Sequence, residues 1–269
     1  MQILRFESDD NAVYTGCDFD KGSASVIEGD IYSDFSNTGR RKPVKRFLPP
    51  ISPRVIFCIG LNYNLHAKET GMALPKYPVV FMKNISAATG HLEDVRIPAS
   101  CVKIPEVDYE AELAVVIGKT ARNVPVEKAL DHVLGYTCAN DISARRWQKH
   151  AGGQQWIKGK SFDTFCPVGP WIVTPDELDD PGNLDIECVL NGHTMQTSNT
   201  SDMIFSVGQI ISYLSESATL VPGTLILTGT PSGVGFARKP PVYLSPGDVL
   251  ETRIEKIGGL KNNITLEKD

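Results

Sequence analysis

The chain has 269 residues, of which 41% are apolar and 22% are charged, with a formal net charge of −5. These values are typical of one large globular domain, or of a main domain with a small appendage. A mildly acidic chain without a block of lysine and arginine argues against nucleic-acid binding.

No apolar run approaches the ~20 residues of a membrane helix, which argues against a membrane protein. The N-terminus has no apolar core of a signal peptide, and its early acidic residues are unlike a transit peptide. We therefore expect a cytoplasmic protein, or a mitochondrial matrix protein if the N-terminus is that of a trimmed mature form.

The cysteines form no Cys-x-x-Cys pair, and three of them lie in apolar runs where a free thiol behaves as a small buried hydrophobe. This pattern predicts a reduced intracellular protein and argues against a zinc site. The six cysteines are Cys17, Cys58, Cys101, Cys138, Cys166 and Cys188.

Residues 1–50 are polar and rich in turns, and we predict that they form a small β domain with a linker. Its strand candidates are residues 3–6, 12–16, 25–28 and 30–32. A basic segment over residues 40–46 precedes Pro49-Pro50, and we interpret it as a solvated connector to a main domain over residues 51–269.

The main domain is predicted to be β-rich with few helices and no regular βαβ alternation, which makes the fold α+β. Asn191-Gly192 indicates a hairpin with a type I′ turn. The predicted strands are residues 54–59, 78–83, 113–117, 136–139, 186–190, 193–196, 224–228 and 249–254, with a last hairpin beginning at residue 258.

Helix signals are fewer. Asn62 or Asn64 is a plausible N-cap of a helix that carries His66 and Glu69. A second apolar stripe lies between Pro125 and Gly135. Thr200 or Ser201 could cap a third helix. Residues 147–160, with three glycines, are predicted to be a mobile loop.

Two carboxylates stand at the beginning of the apolar run over residues 113–117. Glu110 and Glu112 are two apart, so on a strand they share a face. Two buried like charges need a raised pKa or a bound cation. An isolated Glu-x-Glu is more often a solvated strand end, because charged residues are mostly exposed.

Asp141 ends the strand candidate at residues 136–139, one connection after Glu112. If the two strands pair, Asp141 becomes a third carboxylate at the same edge. Three oxygen ligands without nitrogen or sulfur favour Mg²⁺ or Mn²⁺, which Ca²⁺ could replace in a crystal. Taken alone, Asp141 is better explained as a turn residue.

Further polar residues are weaker signals. His66 and Glu69 are neighbours on a helix, suited to a base with an orienting carboxylate or to an ordinary solvated pair. The glycine-rich loop 229–235 could offer N–H groups to an anion, but it lacks the lysine of a nucleotide-binding loop. Lys158 and Lys160 could meet a substrate oxyanion, although most lysines are solvated.

Five motifs in order resemble those of the fumarylacetoacetate hydrolase superfamily, from about residue 54 to the C-terminus. They are closest to the short fumarylacetoacetate hydrolase domain-containing proteins, which include acylpyruvases and oxaloacetate decarboxylases or tautomerases. The motifs are Gly-Leu-Asn-Tyr-x-x-His-Ala-x-Glu at 60–69, Asp-Tyr-Glu-x-Glu-Leu-Ala-Val-Val-Ile-Gly at 108–118, Asn-Asp-x-Ser-Ala-Arg at 140–145, Lys-x-Phe-Asp-x-Phe-Cys-Pro-x-Gly-Pro from 160, and Leu-Thr-Gly-Thr-Pro-x-Gly-Val-Gly at 227–235.

The resemblance implies a mixed β-roll or distorted barrel, a small N-terminal domain and a homodimer. It also implies site residues. The metal ligands are Glu110, Glu112 and Asp141, and the lid pair is His66 and Glu69. Residues facing substrate oxygens are Arg145, Gln148 and Lys160, and the carboxylate-holding loop contains Gly229 and Thr230.

Two departures from the family pattern stand out. Full-length fumarylacetoacetate hydrolases have a further aspartate ligand, for which Asn62 is the nearest candidate here, so we expect a water in that position. Arg146 stands where relatives commonly have aspartate. It could select a more anionic substrate, or it could point outward.

We therefore predict a divalent-metal-dependent hydrolase that cleaves a C–C bond in a small 2,4-dioxo acid through an enolate. Catalysis would use His66, Glu69 and Lys160. The alternative is an oxaloacetate decarboxylase or keto–enol tautomerase, which needs the same enolate but no attack by water. A non-catalytic homologue is disfavoured, because neither a carboxylate nor His66 is lost.

Overall fold

The computed structural model describes residues 1–104, 106–178 and 180–268. The helices are short: α1 (Asn64–Thr70), α2 (Ile157–Lys160) and α3 (Val207–Ser215), with a π-helical turn over Trp147–Ala151. The strands are β1 (Gln2–Glu7), β2 (Val13–Asp20), β3 (Ser23–Gly29), β4 (Phe35–Pro43), β5 (Arg46–Leu48), β6 (Val55–Gly60), β7 (Val79–Lys83), β8 (Ala88–Thr89), β9 (Asp94–Ile97), β10 (Val107–Asp108), β11 (Ala111–Ile117), β12 (Val133–Asn140), β13 (Ser143–Ala144), β14 (Cys166–Val173), β15 (Asp185–Leu190), β16 (His193–Asn199), β17 (Thr224–Leu227), β18 (Val249–Ile254) and β19 (Gly258–Leu266).

Most strands belong to two mixed sheets. The larger sheet has twelve strands, in the order β4-β3-β2-β1-β14-β12-β11-β17-β6-β7, with β5 beside β1 and β8 beside β14. The second sheet has the order β16-β15-β18-β19-β9, and β10 pairs with β13. Both sheet orders are open paths. The prediction of a β-rich mixed fold is confirmed.

Strand β11 lies in the middle of the large sheet, between β12 and β17. All its residues are buried. Leu113 and Val115 pack into the cluster shared with the second sheet, whereas Ala114 and Val116 pack on the opposite face. Full burial of each large aliphatic side chain contributes about 1.5–3 kcal/mol. The unbroken apolar run is thus that of a strand covered on both faces.

The N-terminal strands largely follow the predictions, with two exceptions. Residues 30–32 lie in a turn and not in a strand. The basic segment was wrongly predicted as a connector, because it forms β4 and β5. Its charges are paired across the sheet, Arg40 with Glu28 and Lys42 with Asp10. A highly charged strand is well suited to the exposed edge of a sheet, where it discourages further pairing.

The N-terminal strands continue the large sheet, since Gln2 and Ile3 of β1 pair with Val173 and Ile172 of β14. A strand of the N-terminal part therefore adds directly to a strand of the main part. The division into residues 1–50 and 51–269 stays a prediction.

The cap predicted for α1 is wrong. Tyr63 precedes the helix and makes no side-chain cap. The carboxylate of Asp202 instead accepts the N–H of Leu65 at 3.0 Å, and the Asn64 amide donates to the Asp202 carbonyl at 2.8 Å. The segment before α3 thus supplies the acceptor that a helix N-terminus needs.

Two other helix predictions are corrected and one turn is confirmed. The stripe after Pro125 forms a 3₁₀ helix that ends at His132, and Gly135 lies inside β12. Helix α3 is capped by Ser206 in a capping box with Gln209, and not by Thr200 or Ser201. The hairpin β15–β16 turns at Asn191 and Gly192, whose φ values of 51° and 81° fit the predicted type I′ turn.

All six cysteines are free and buried, as predicted for the three in apolar runs. Within the described ranges, no helix is long and apolar enough to cross a membrane.

Candidate active site

Strand pairing brings the three predicted carboxylates together. In the β11–β12 pair, Ala111 lies opposite Asn140, and the N–H of Asp141 donates to the carbonyl of Glu110 at 2.8 Å. One ligand atom from each of Glu110, Glu112 and Asp141 lies within 4.8 Å of the others, and all three residues are buried. The Glu-x-Glu pair is therefore a buried cluster, and not a solvated strand end.

Two buried lysines neutralise part of this cluster. Lys160 Nζ lies 2.8 Å from both Glu110 and Asp141. Lys83 Nζ lies 2.6 Å from the other oxygen of Asp141 and also donates to three backbone carbonyls. Burial lowers the pKa of Lys160, but Asp141 and Glu110 outweigh it and raise the pKa overall. Both cations thus act as fixed partners of the acidic cluster.

Arg145 links the cluster to a fourth buried carboxylate. Its guanidinium contacts Asp108 at 2.7 and 2.8 Å and Glu110 at 2.7 Å, and it donates to the Gln148 side-chain oxygen at 3.0 Å. Burial raises the pKa of Glu110, but Lys160 and Arg145 outweigh it and hold the pKa well below its usual range. Glu110 is therefore ionised by its cation partners.

Glu112 is the carboxylate of the cluster without a cation contact among the described residues. Its Oε2 accepts the Gly229 N–H at 2.6 Å. Burial, followed by the charges of Asp141 and Glu110, raises its pKa well above the usual range. One buried carboxylate thus lacks a compensating positive charge, in a donor set that consists of oxygen atoms. A divalent cation fits this observation.

His66 and Glu69 form a pair on α1. His66 Nδ1 lies 3.0 Å from Glu69 Oε2, and Glu69 Oε1 accepts the Gly233 N–H at 2.9 Å. Burial raises the pKa of Glu69, but the contacts with His66 and Gly233 outweigh it and lower the pKa overall. An ionised carboxylate on Nδ1 orients the ring and favours a proton there, so Nε2 keeps its lone pair.

The glycine-rich loop approaches the cluster from β17. Gly229 has a φ of 102°, and a Cβ there would lie 2.7 Å from Cβ of Asn62. Its neighbour Thr230 donates to the Ala111 carbonyl at 3.0 Å and accepts from Gln196 at 2.8 Å. Only glycine combines this backbone conformation with so close a contact. The N–H of Gly229 is therefore directed at Glu112.

The segment predicted as a mobile loop is largely ordered into a π-helical turn and α2. Gly159 permits this packing, since a Cβ there would lie 2.4 Å from the Gln148 nitrogen and 2.7 Å from the Ala144 carbonyl. Lys160 follows at the end of α2 and is 1% exposed. The sequence identified the lysine but not the helix that buries it.

Neither departure from the family pattern places a charge in the cluster. The Asn62 amide donates to the carbonyls of Thr228 and Phe205 and accepts the Phe205 N–H, so backbone groups occupy it. Arg146 contacts Glu106 at 3.1 Å and the Ser100 carbonyl at 3.0 Å. Of the two alternatives for Arg146, the structure therefore supports the one directed away from the cluster.

A cavity of about 160 Å³ connects the acidic cluster to α1. A void of roughly this size holds a molecule as large as benzene. Of the predicted site residues, seven line it: His66, Glu110, Glu112, Arg145, Gln148, Lys160 and Thr230. The other three predicted residues do not line the cavity but contact residues that do: Glu69 contacts His66, Asp141 contacts Lys160, and Gly229 contacts Glu112.

Sequence reasoning missed several residues of the site. Asp108 could have been found, because the strand alternation that groups Glu110 with Glu112 extends back to it. Lys83 gave no such signal, since a lysine that ends an apolar strand is normally solvated. The cavity is also lined by Lys149 and by apolar and aromatic side chains that no motif indicated: Ile59, Leu61, Met72, Phe81, Trp156 and Phe236.

This arrangement suits chemistry on a small acid. Fixed cations and N–H donors can hold carboxylate and carbonyl oxygens, and the histidine across the cavity can exchange a proton with the bound molecule.

A family model described as "Fumarylacetoacetate (FAA) hydrolase C-terminal" matches residues 55–265, the part of the chain that carries the whole site. The chain therefore belongs to the fumarylacetoacetate hydrolase family, as its motifs predicted.

Curated relatives define its position within the family. The chain is 49% identical over 236 residues to the fumarylacetoacetate hydrolase domain-containing protein 2 homolog of Dictyostelium discoideum, covering 84% of this chain and 76% of the relative. It is 47% identical over 224 residues to the mitochondrial oxaloacetate tautomerase fahd2 of Xenopus laevis (83% and 69%). It is 45% identical over 219 residues to the mitochondrial oxaloacetate tautomerase FAHD2A of Homo sapiens (81% and 69%).

Solved structures share the fold over the full chain. The 2-hydroxyhepta-2,4-diene-1,7-dioate isomerase of Mycobacterium marinum matches with a TM-score of 0.85 at 37% identity, covering 100% of both chains. The fumarylacetoacetate hydrolase of Exiguobacterium antarcticum matches with a TM-score of 0.86 at 36% identity, covering 99% of this chain and 100% of the other.

Proposed function

We propose that this chain catalyses keto–enol exchange of a small 2-oxo acid, with oxaloacetate as the first substrate to test. The observation that carries the proposal is the position of His66, oriented by Glu69, across one small cavity from the buried carboxylate cluster. Relatives at 45–47% identity that are named oxaloacetate tautomerases support this choice over C–C bond hydrolysis.

A divalent cation, Mg²⁺ or Mn²⁺, is part of the proposal. Glu110, Glu112 and Asp141 would hold it, and Lys83 and Lys160 limit the net negative charge of the cluster. When bound, the cation supplies Lewis-acid polarisation of a carbonyl oxygen.

His66 would move the proton. The exchange transfers one proton from the carbon beside the 2-oxo group to the oxygen of that group. With Nδ1 bonded to Glu69, Nε2 of the imidazole is the atom that accepts the proton and returns it. A positioned base of this kind typically contributes about 10²–10⁴ in rate.

Arg145, Gln148, Lys160 and Thr230 would bind the oxygens of the substrate. All four line the cavity, and the first three carry N–H donors. Because Arg145 and Lys160 are already held by carboxylates, these donors stay in place while negative charge develops on the substrate oxygen. Such fixed donors stabilise a transition state without a cost for reorganisation.

Hydrolysis of a 2,4-dioxo acid is the second candidate. The same His66–Glu69 pair could take a proton from a water that attacks the distal carbonyl, and the matching structure from Exiguobacterium antarcticum is a fumarylacetoacetate hydrolase. Oxaloacetate decarboxylation is a third outcome of the same chemistry, which requires no attacking water. A non-catalytic role is disfavoured by the complete set of site residues.

The test is to follow keto–enol exchange of oxaloacetate by absorbance and its products by NMR, in metal-depleted protein and after adding Mg²⁺ or Mn²⁺. We expect metal-dependent exchange, a loss of about 10²-fold or more in kcat for His66→Ala, and no activity for Glu112→Ala. An acylpyruvate panel provides the comparison. Full activity without metal or in Glu112→Ala, or turnover of the acylpyruvates alone, would contradict the proposal.

We further propose a homodimer. Strand β7 is an edge of the large sheet, and its apolar residues Val79, Val80 and Met82 are 36–38% exposed. An exposed apolar edge strand is a ready surface for pairing with a second copy. For location, we propose the cytoplasm, with the mitochondrial matrix as the alternative supported by the names of the relatives from Xenopus laevis and Homo sapiens.

A further inference from the structure

Lys149 differs from the other cations that line the cavity. Arg145 and Lys160 are held by carboxylates at 2.7–2.8 Å. Among the residues that the structure describes, no carboxylate lies within ion-pair distance of Lys149. Its ammonium instead lies 4.1 Å from the centre of the Phe236 ring. Lys149 therefore brings a positive charge to the cavity wall that no carboxylate of residues 1–104, 106–178 and 180–268 neutralises at close range.

The backbone that carries the ring under Lys149 is anchored to Asp108. The backbone N–H groups of Gly235 and Phe236 both donate to Asp108, at 2.7 and 3.0 Å, and Asp108 is in turn paired with Arg145. The Arg145 guanidinium lies 4.5 Å from the same ring. A cation over an aromatic face is attracted by the ring quadrupole. Phe236 thus positions Lys149 beside Arg145 at the cavity.

The charges around Lys149 favour an additional anion. Asp108 and Glu110 attract it at longer range, but both are already paired with Arg145. Burial and, after it, repulsion from the nearby Arg145 lower the pKa of Lys149, whereas Asp108 and Glu110 raise it. A carboxylate placed at Lys149 would relieve this repulsion.

Much of the remaining wall of the cavity is apolar. Phe81, Trp156 and Met72 line it and offer no charge to a second acid group. A dicarboxylic ligand would therefore place its distal carboxylate at Lys149, because burying that charge against the apolar wall would be costly.

We infer that Lys149 is a specificity-determining residue that binds the distal carboxylate of a dicarboxylic 2-oxo acid, held in place by Phe236. This inference rests on the proposed function, since it assigns a ligand class to the same cavity. Lys149 would thereby distinguish four-carbon and similar dicarboxylic 2-oxo acids from monocarboxylic 2-oxo acids, which lack the group that Lys149 would bind.

The experiment compares oxaloacetate with its 4-ethyl ester, in which an uncharged and bulkier group replaces the distal carboxylate. We expect Lys149→Gln to raise KM for oxaloacetate by about tenfold, because a charge-assisted hydrogen bond at a partly exposed site is lost. The kcat for oxaloacetate and the KM for the ester should change little. Phe236→Leu should also raise KM for oxaloacetate. Lys149→Arg, which keeps the positive charge, should have a KM for oxaloacetate close to that of wild type.

Lys158→Gln is the matched control. Its ammonium also lies over an aromatic ring, 4.8 Å from the centre of Phe162, but Lys158 does not line this cavity. We expect this variant to have the kcat and KM values of wild type for both oxaloacetate and the ester. An equal change of KM for oxaloacetate and for the ester in Lys149→Gln, or no change for either, would overturn the inference.

Titration calorimetry separates this inference from the proposed function. Dissociation constants for oxaloacetate and the ester do not depend on turnover. A protein that binds both without exchanging protons would refute the proposed function. The inference about Lys149 would then be decided by whether Lys149→Gln weakens binding of oxaloacetate about tenfold more than binding of the ester.

Discussion

Glu110 and Glu112 are two residues apart in one cluster, yet substitution by glutamine should reduce stability strongly at Glu110 and only slightly at Glu112. Glu110 is ionised and holds Lys160 and Arg145 at 2.8 and 2.7 Å. Glu110→Gln takes away one carboxylate partner of each cation and leaves Lys160 with Asp141 and Arg145 with Asp108. Breaking buried ion pairs in this way costs about 3–5 kcal/mol. We therefore expect this variant to lose that much of its free energy of unfolding in metal-depleted buffer.

Glu112 has no cation contact among the described residues, and its raised pKa favours the protonated form when no metal is bound. A glutamine has nearly the same shape as a protonated glutamate. Its side-chain oxygen can still accept the Gly229 N–H that Glu112 accepts at 2.6 Å. We expect Glu112→Gln to change the free energy of unfolding by less than about 1 kcal/mol in the same buffer, because no buried charge is left unpaired.

Urea unfolding at neutral pH, followed by circular dichroism in the presence of a chelator, measures both variants against wild type. Adding Mn²⁺ provides a second measurement. It should raise the Tm of wild type, because a ligand that binds the folded state stabilises it, and it should have little effect on Glu112→Gln. Equal losses of stability for Glu110→Gln and Glu112→Gln would refute the assignment of charge within the cluster.

Two further predictions concern regions outside the cluster. Burial and Lys261 lower the pKa of His91 from 6.5 to about 4, so the unfolded chain binds the extra proton first. The free energy of unfolding should therefore fall as pH falls from about 6.5 to about 4. Urea unfolding at pH 7 and pH 5 should show that this free energy depends less on pH in His91→Gln than in wild type. The same pH dependence in both proteins would contradict the assignment to His91. Val80→Lys on β7 should convert the proposed dimer into a monomer, measured by sedimentation velocity, whereas a monomeric wild type or a dimeric variant would exclude this edge as the interface.

The local patterns of the sequence were sufficient for much of the fold. The run after Glu112 has the composition of a strand covered on both faces, and it forms the buried strand β11. Asn191-Gly192 predicted its hairpin correctly because both positions require a positive φ, which these residues adopt readily. Signals of this kind depend on neighbours in the chain, and so they can be interpreted without knowing the fold.

Predictions that depended on distant partners were less successful. The basic segment after residue 39 was predicted as a connector, but its pairing with the preceding strand makes it β4. The cap of α1 was misplaced for this reason, whereas the cap of α3 is a local pattern, Ser206 with Gln209, that the prediction overlooked. The acceptor at the start of α1 comes from Asp202, which is 137 residues away from Leu65 in the chain. No local pattern contains this information.

The sequence by itself determined the chemistry available to the site: three oxygen ligands, a histidine with an orienting carboxylate, and a family of enzymes that use both. Only the tertiary structure decided the charge state of each group. Lys160 and Arg145 reach the cluster from other elements and ionise Glu110, whereas Glu112 has no cation contact among the described residues. The physical reason is that a pKa depends on burial and on charges within a few ångströms, and folding alone brings those charges together.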